Sequence, residues 1–248
     1  MVTIAMMNKK GGVGKTTTAL AVAAYLGRSG KRVLAIDMDA QANFTQSSRG
    51  ERGVEGAFDF LKGEKFEDVV QKASAYDFIG ADKRLSQAEA EFREVIGKEH
   101  LLEKALKSVR GYDYCVIDTP PSMEVLTLNA LTAADRIVVC CQSDSYSVAG
   151  LAEMRKNIEA VREFLNPRVK VAGILLTRYN ARTAVARQLS SFFADAAEAM
   201  DAKVFETAIR ENTALKEAAV QRQNIFEYRG DSHGAEDYAA FTRELIGE

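Results

Sequence analysis

Residues 8–17 read Asn8-Lys9-Lys10-Gly11-Gly12-Val13-Gly14-Lys15-Thr16-Thr17, a glycine-rich run ending in a lysine and two hydroxyls. Glycine accepts the left-handed backbone angles that turn successive N–H groups toward one anion. A helix starting near Lys15 would add its positive N-terminal end. Lys15 would then reach the β- and γ-phosphates of a nucleotide, and the Thr16 hydroxyl would ligate Mg²⁺. Lys9 stands where the general G-x-x-x-x-G-K-[ST] pattern has its first glycine, so the loop is a variant of that pattern. Lys10 is a second cation just ahead of the glycines. One lysine suffices to neutralise phosphates within a chain, so Lys10 either has another role or is an exposed lysine at a loop edge.

Carboxylates follow in order. The run Val33-Leu-Ala-Ile-Asp37-Met-Asp39 puts two aspartates at the end of an apolar strand, and Cys115-Val-Ile-Asp118-Thr-Pro-Pro121 puts another at the end of a second one. In open α/β sheets ligands bind outside the carboxyl ends of the strands. Asp118 is placed to reach Mg²⁺ directly or through water. Asp39 could instead cap a following helix. A phosphate cradle, a metal and a placed nucleophile are what phosphoryl transfer to water requires.

Lys10-Gly-Gly-Val-Gly-Lys15-Thr16-Thr17 resembles the deviant Walker A motif of the ParA/MinD ATPases. The resemblance implies that Lys10 reaches across a sandwich homodimer to the partner's ATP, where its charge would neutralise developing phosphoryl charge. It implies that residues 10–17 hold ATP. The family's D-x-D-P-Q segment resembles Asp37-Met-Asp39-Ala40-Gln41, with Ala40 in place of proline. By that match Asp37 supports the Mg²⁺ shell and Asp39 positions or activates the attacking water. Catalysis then falls to Lys10, Lys15 and Asp39, and Mg²⁺ to Thr16, Asp37 and Asp118. Thr177-Arg178-Tyr179-Asn180 resembles the end of the family's base-recognition strand. Ile209-Arg210-Glu211-Asn212 resembles its I-P-x-N segment, with Arg210 for proline. Arg178, Asn180 and Asn212 are therefore candidates for the adenine; a solvated strand end is the alternative.

These residues need a scaffold of short apolar strands. Val2–Met7, Arg32–Ile36, Asp113–Ile117, Arg136–Cys141 and Val169–Thr177 have that profile, that of parallel strands buried on both faces. Asp77–Gly80 and Lys203–Thr207 are weaker candidates. Helical patterns occupy Lys15–Arg28, Lys98–Ser108, Ser122–Ala134, Val148–Leu165, Thr183–Met200 and Ala235–Ile246, the last with Tyr238, Phe241 and Leu245 on one face. The alternation predicts a doubly wound, mostly parallel α/β sheet flanked by helices, and the resemblance implies that it is a P-loop NTPase fold, as one domain over 1–248. The stretch Ser47–Asp68, rich in glycine and charge, reads as a surface excursion with short helices.

Composition restricts the partners. The net charge of −2 gives no global attraction to nucleic acid or membrane. The three cysteines fit no metal spacing, and buried reduced thiols in a cytoplasmic protein are expected. No apolar run approaches the ~20 residues that span a bilayer, and Met1–Met7 lacks a basic leader. The last residues are acidic, against the basic amphipathic helix that a MinD-like membrane ATPase would use. Arg178, Arg182 and Arg187 form a short acid-free basic segment, and Lys216 and Arg222 follow, but 178–230 holds eight Lys/Arg against seven Asp/Glu. Arg182, Arg187, Lys216 and Arg222 are candidates for DNA, with ordinary solvated helix faces as the alternative. With the first strand at Val2, no N-terminal operator-binding domain is expected. The resemblance implies a small ParA of chromosome or plasmid type. Its ATP-bound homodimer would coat nucleoid DNA, and a ParB-type partner would stimulate its slow hydrolysis. A MinD-like positioning ATPase is the alternative, and a metabolic P-loop enzyme the rival that has no use for Lys10.

Overall fold

The computed structural model describes residues 1–50, 55–181 and 183–248, with side chains for all of these except 145–149, 184, 185 and 187. In chain order the elements are β1 (Val2–Met7), α1 (Lys15–Arg28), β2 (Val33–Asp37), α2 (Asn43–Ser47), α3 (Ala57–Lys62), α4 (Phe66–Val69), β3 (Val70–Lys72) and β4 (Asp77–Ile79). Next come α5 (Ala88–Glu91), α6 (Leu101–Leu106), β5 (Tyr114–Asp118), α7 (Val125–Ala133), β6 (Arg136–Gln142), α8 (Ser145–Phe164) and β7 (Lys170–Thr177). The chain closes with α9 (Ala184–Glu198), α10 (Thr213–Val220), α11 (Ile225–Arg229) and α12 (His233–Ile246).

The strands form one sheet in the order β3-β4-β2-β5-β1-β6-β7. Every pairing is parallel except β3 with β4. Alternate side chains feed opposite faces, as a strand's period of two requires. Ile4, Met6, Val116 and Val138 pack under α1, α10 and α12, whereas Ala5, Met7, Ile117 and Val139 pack under α6, α7, α8 and α9. Both faces are therefore apolar, which is why the central strands read as unbroken hydrophobic runs. Their register aligns the exits: Met6 lies beside Asp118 and Asp37 beside Asp118.

Two expectations need correction. Lys203–Thr207 is not a strand; Val204 makes only an isolated bridge to Ile174. Between that bridge and the next backbone bond to β7, from Ile209 N to Leu176 O, the N–H groups of Glu206 and Thr207 go instead to the Glu244 carboxylate, at 3.0 Å each. The excursion after Ser47 is not only a surface feature, since Phe58, Phe60 and Leu61 of α3 are buried in the core. Residues 51–54 lie outside the described ones.

Candidate nucleotide site

The phosphate loop runs from the end of β1 to the start of α1. Gly12 (φ +75°) and Gly14 (φ +92°) take left-handed angles, which a residue with a Cβ adopts at a cost of about 1–2 kcal/mol. Three loop carbonyls are tied to side chains: Lys10 O accepts from Lys15 Nζ at 3.2 Å, Gly12 O from Gln142 Nε2 at 2.8 Å and Val13 O from Thr177 Oγ1 at 2.7 Å. Engaged carbonyls leave the N–H groups of such a loop for an anion. Buried Asn8 fixes the entrance: its Nδ2 donates to Cys140 O at 2.6 Å and its Oδ1 accepts from Lys10 N at 2.8 Å. Buried Val13 anchors the loop, while Gly11 and Gly12 are exposed. Asn8, Gln142 and Thr177 were not singled out in the sequence; the last two act across 130 and 164 residues.

Lys15 is buried, and desolvation lowers its pKa against the opposing pull of Asp118, Cys140 and Asp39. Lys10 is half-exposed, with Nζ 2.7 Å from Asp144 Oδ2 of the same chain. Lys9 pairs with Glu153 at 2.5 Å.

Asp37 and Asp118 are fully buried neighbours on β2 and β5. Asp37 Oδ2 accepts from Thr45 N at 2.9 Å and Thr45 Oγ1 at 2.7 Å, and Asp37 Oδ1 accepts from Asp39 N at 3.1 Å. Thr45 Oγ1 in turn accepts from Ala81 N at 2.8 Å. Burial pushes the Asp37 pKa up to about 6 despite these bonds. Asp118 differs. Neither of its oxygens has a hydrogen-bond partner of good geometry among the described residues. Burial first, and then Asp37, raise its pKa well above the usual carboxylate range, while Thr16 and Lys15 favour its charge. Half-buried Asp39 accepts from Gln41 N at 2.9 Å, a local turn; the helix α2 that follows starts after Ala42 without a side-chain cap, so Asp39 is not a helix cap.

The donor set fits Mg²⁺. That ion keeps several waters and takes one or two carboxylates alongside substrate phosphates rather than a full protein cage. An orphaned buried carboxylate beside a threonine hydroxyl and a lysine asks for a cation, because an unpaired buried charge is costly.

Beyond the loop lies a cavity of about 220 Å³ lined by Gly12, Gly14, Thr17, Arg178, Asn212 and Lys216, among others. Arg178 and Asn212 thus line one cavity, whereas Asn180, exposed two residues on from Arg178, is not in this lining. Glu211 spans the rim, 3.4 Å from Arg178 Nη2 and 2.9 Å from Lys216 Nζ. Asn212 caps α10, accepting from Ala214 N. Arg210, where the family pattern has proline, donates its backbone N–H and its guanidinium to Asp237 on α12, at 2.7–3.0 Å. Proline could do neither. Tyr238 of α12 also lines the cavity and bonds Thr18 of α1 at 3.1 Å.

Two of the candidate DNA residues can be placed. Lys216 belongs to the base cavity and Arg222 to another crevice. Arg182 lies outside the described residues, as does the side chain of Arg187.

Comparison with known proteins follows this geometry. Residues 1–171 match the family described as an AAA domain. The chain is 40% identical over 243 residues to the chromosome-partitioning ATPase Soj of Thermus thermophilus, covering 98% of this chain and 94% of that one. It is 35% identical over 252 residues to the chromosome partitioning protein ParA of Caulobacter vibrioides, covering 98% and 93%. The chain belongs to the ParA/Soj family of P-loop ATPases. A solved structure from Mycobacterium smegmatis, named cobyrinic acid a,c-diamide synthase and holding an ATP analogue and magnesium, superposes with a TM-score of 0.86 at 30% identity, covering 99% and 94%. The septum site-determining protein MinD of Pyrococcus horikoshii, at 20% identity, 98% and 95% coverage and a TM-score of 0.79, shares the fold. Within the ParA/Soj family the Lys10–Lys15 loop and the three aspartates are the features to explain.

Proposed function

We propose that the protein is a ParA-type DNA-segregation ATPase, and the buried, unpartnered Asp118 carboxylate beside Lys15 and Thr16 is the observation that carries the ATP·Mg²⁺ part. Thr16 and Asp118 would hold Mg²⁺, with Asp37 behind them fixing the 37–45 segment through Thr45. Bound there, the ion would neutralise phosphate charge. Lys15 and the loop N–H groups bind the phosphates, and Asp39 orients the attacking water. Arg178 and Asn212 flank the base.

The partition reading rests on relatives at 35–40% identity over nearly the whole chain. ATP drives a sandwich homodimer in which Lys10 leaves Asp144 for the partner's phosphates. The dimer binds DNA without sequence preference and so associates with the nucleoid. A ParB-type protein stimulates slow hydrolysis and releases it. Against a MinD-like membrane role stands α12: Tyr238, Phe241 and Leu245 are buried in the core, so this helix presents no such face to lipid. No helix among the described residues is long and apolar enough to cross a membrane.

The test is DNA co-sedimentation of the wild type beside Lys10→Gln, with and without ATP. The wild type should bind only with ATP and Lys10→Gln should not. Equal binding by both proteins, with and without ATP, sinks the switch model. Binding to anionic liposomes instead of DNA would favour the membrane reading.

A further inference from the structure

A second crevice, of about 990 Å³, opens on the far side of the Asp39 segment from the phosphate loop. Its walls are residues 40–46 after β2, Gly80 and Ala81 after β4, and the Gln221-Arg222 turn between α10 and α11. It therefore also sits outside the carboxyl ends of parallel strands, where α/β sheets take their ligands. Its volume lies at the upper end of what small-molecule sites enclose, roughly 300–1,000 Å³.

Two independent features mark it. The first is backbone strain. Five non-glycine residues among the described ones have left-handed angles: Ala42 (φ +55°), Arg49 (φ +58°), Arg178 (φ +50°), Asp201 (φ +54°) and Arg222 (φ +54°). Arg178 lines the nucleotide cavity, and Ala42, Arg49 and Arg222 all line this crevice. Strain of that kind persists where the surrounding fold enforces it, and it gathers at binding sites. The second is charge. Arg49, Lys83 and Arg222 line the crevice without a carboxylate partner among the described residues. Of the lining carboxylates among the described residues, Asp82 is neutralised by Arg84, at 2.5 Å, which leaves Glu55. Much of the remaining lining is uncharged, with the amides of Gln41, Gln46 and Gln221.

We propose that this crevice binds a small phosphate-bearing ligand of nucleotide size, held by Arg49, Lys83 and Arg222, and that its occupancy adjusts hydrolysis at Asp39. The coupling is short. Ala40 adjoins Asp39 in the chain, and the lining residue Thr45 donates twice to Asp37, whose other oxygen holds Asp39 N. A ligand that shifts the 40–46 wall shifts the water-orienting carboxylate with it.

The test uses the full-length protein saturated with Mg²⁺ and the ATP analogue AMP-PNP, so that the phosphate loop is filled. Inorganic pyrophosphate is then titrated calorimetrically. One further equivalent should bind, and the double variant Arg49→Gly, Arg222→Gly should bind it at least tenfold more weakly. Glycine suits both left-handed positions, so the variant should melt no lower than the wild type. In a parallel assay of ATP turnover, pyrophosphate should change the wild-type rate in a way the double variant does not reproduce beyond simple competition. No second equivalent, or equal binding by the variant, overturns the proposal. So does a variant that keeps pyrophosphate but loses a 20-base-pair DNA duplex, which would assign these arginines to nucleic acid.

Discussion

The phosphate loop and the cavity beside it, the candidate phosphate and base ends of the site, are built on opposite principles. At the phosphate end each group is held by the fold: Asn8, Gln142 and Thr177 tie the loop, and Asp37, Asp118 and Lys15 are buried. At the base end the charges are exposed. Arg178, Glu211 and Lys216 form a chain of ion pairs with half or more of each side chain in water. Exposed pairs of this kind contribute about 0–1 kcal/mol, whereas removing a buried, bonded group costs several-fold more. On the proposed reading, binding energy for the triphosphate would reside in a rigid cradle, and base recognition in side chains that can re-pair.

The sharpest way to break that contrast is to truncate both ends. Lys15→Ala should lower kcat/KM for ATP by about 10³-fold or more, since on the proposed reading it would remove charge aimed at the reacting phosphates from a buried position. Arg178→Ala should cost less than about tenfold. Equal losses would mean that the two ends are not built differently. Next in size, Asp39→Ala should lower kcat by about 10²-fold, in the range set by a positioned base, while AMP-PNP-dependent dimerisation in size-exclusion chromatography is retained. Turnover near wild type would remove Asp39 from its role.

Stability gives a third comparison. Asp37 and Asp118 have raised pKa values in the folded protein, so the native state binds more protons than the unfolded chain above about pH 4. Stability from these two groups is therefore full below the unfolded carboxylate pKa. It falls as pH rises through about 6 for Asp37, and through the raised pKa of Asp118. Asp118→Asn removes one of the buried charges. Without nucleotide and in EDTA, the variant should melt above the wild type at pH 7.5, by roughly 2–4 °C for each kcal/mol gained, and the gap should shrink by pH 5. With Mg²⁺ and AMP-PNP the order should reverse, because the wild type alone gains the ion. A gap that is constant with pH would show that the Asp118 charge is already compensated.

The same contrast explains what the sequence could show. The central strands were readable to within a residue because both faces are buried, so Ile4–Met7 and Ile137–Cys141 run as unbroken apolar stretches. The edge strand Val70–Lys72 went unseen because it is three residues long and two of them are polar. The phosphate loop and the strand-end aspartates were legible because their chemistry needs fixed residue types at fixed spacing. Thr45 was not: its bonds to Asp37 depend on α2 folding back over the strand exit, which no spacing encodes. Nor was the Arg210–Asp237 pair, which explains why proline is absent there but joins α12 to a loop 27 residues away.

Glu211 gives the smallest effect and the finest test. Its carboxylate, held below its usual pKa by Lys216 and then Arg178, pairs with both cations at the rim of the base cavity and offsets one of their two charges. If those pairs are worth as little as exposed pairs usually are, Glu211→Ala should leave the melting temperature within about 2 °C of wild type. It should, however, release two positive charges beside the bound nucleotide and on the surface. Affinity for ADP and for DNA should then rise by a few-fold at low salt, with the gain vanishing at high salt as screening takes over. A loss of nucleotide affinity instead would mean that Glu211 orients Arg178 against the base, and that the base end is as firmly built as the phosphate end.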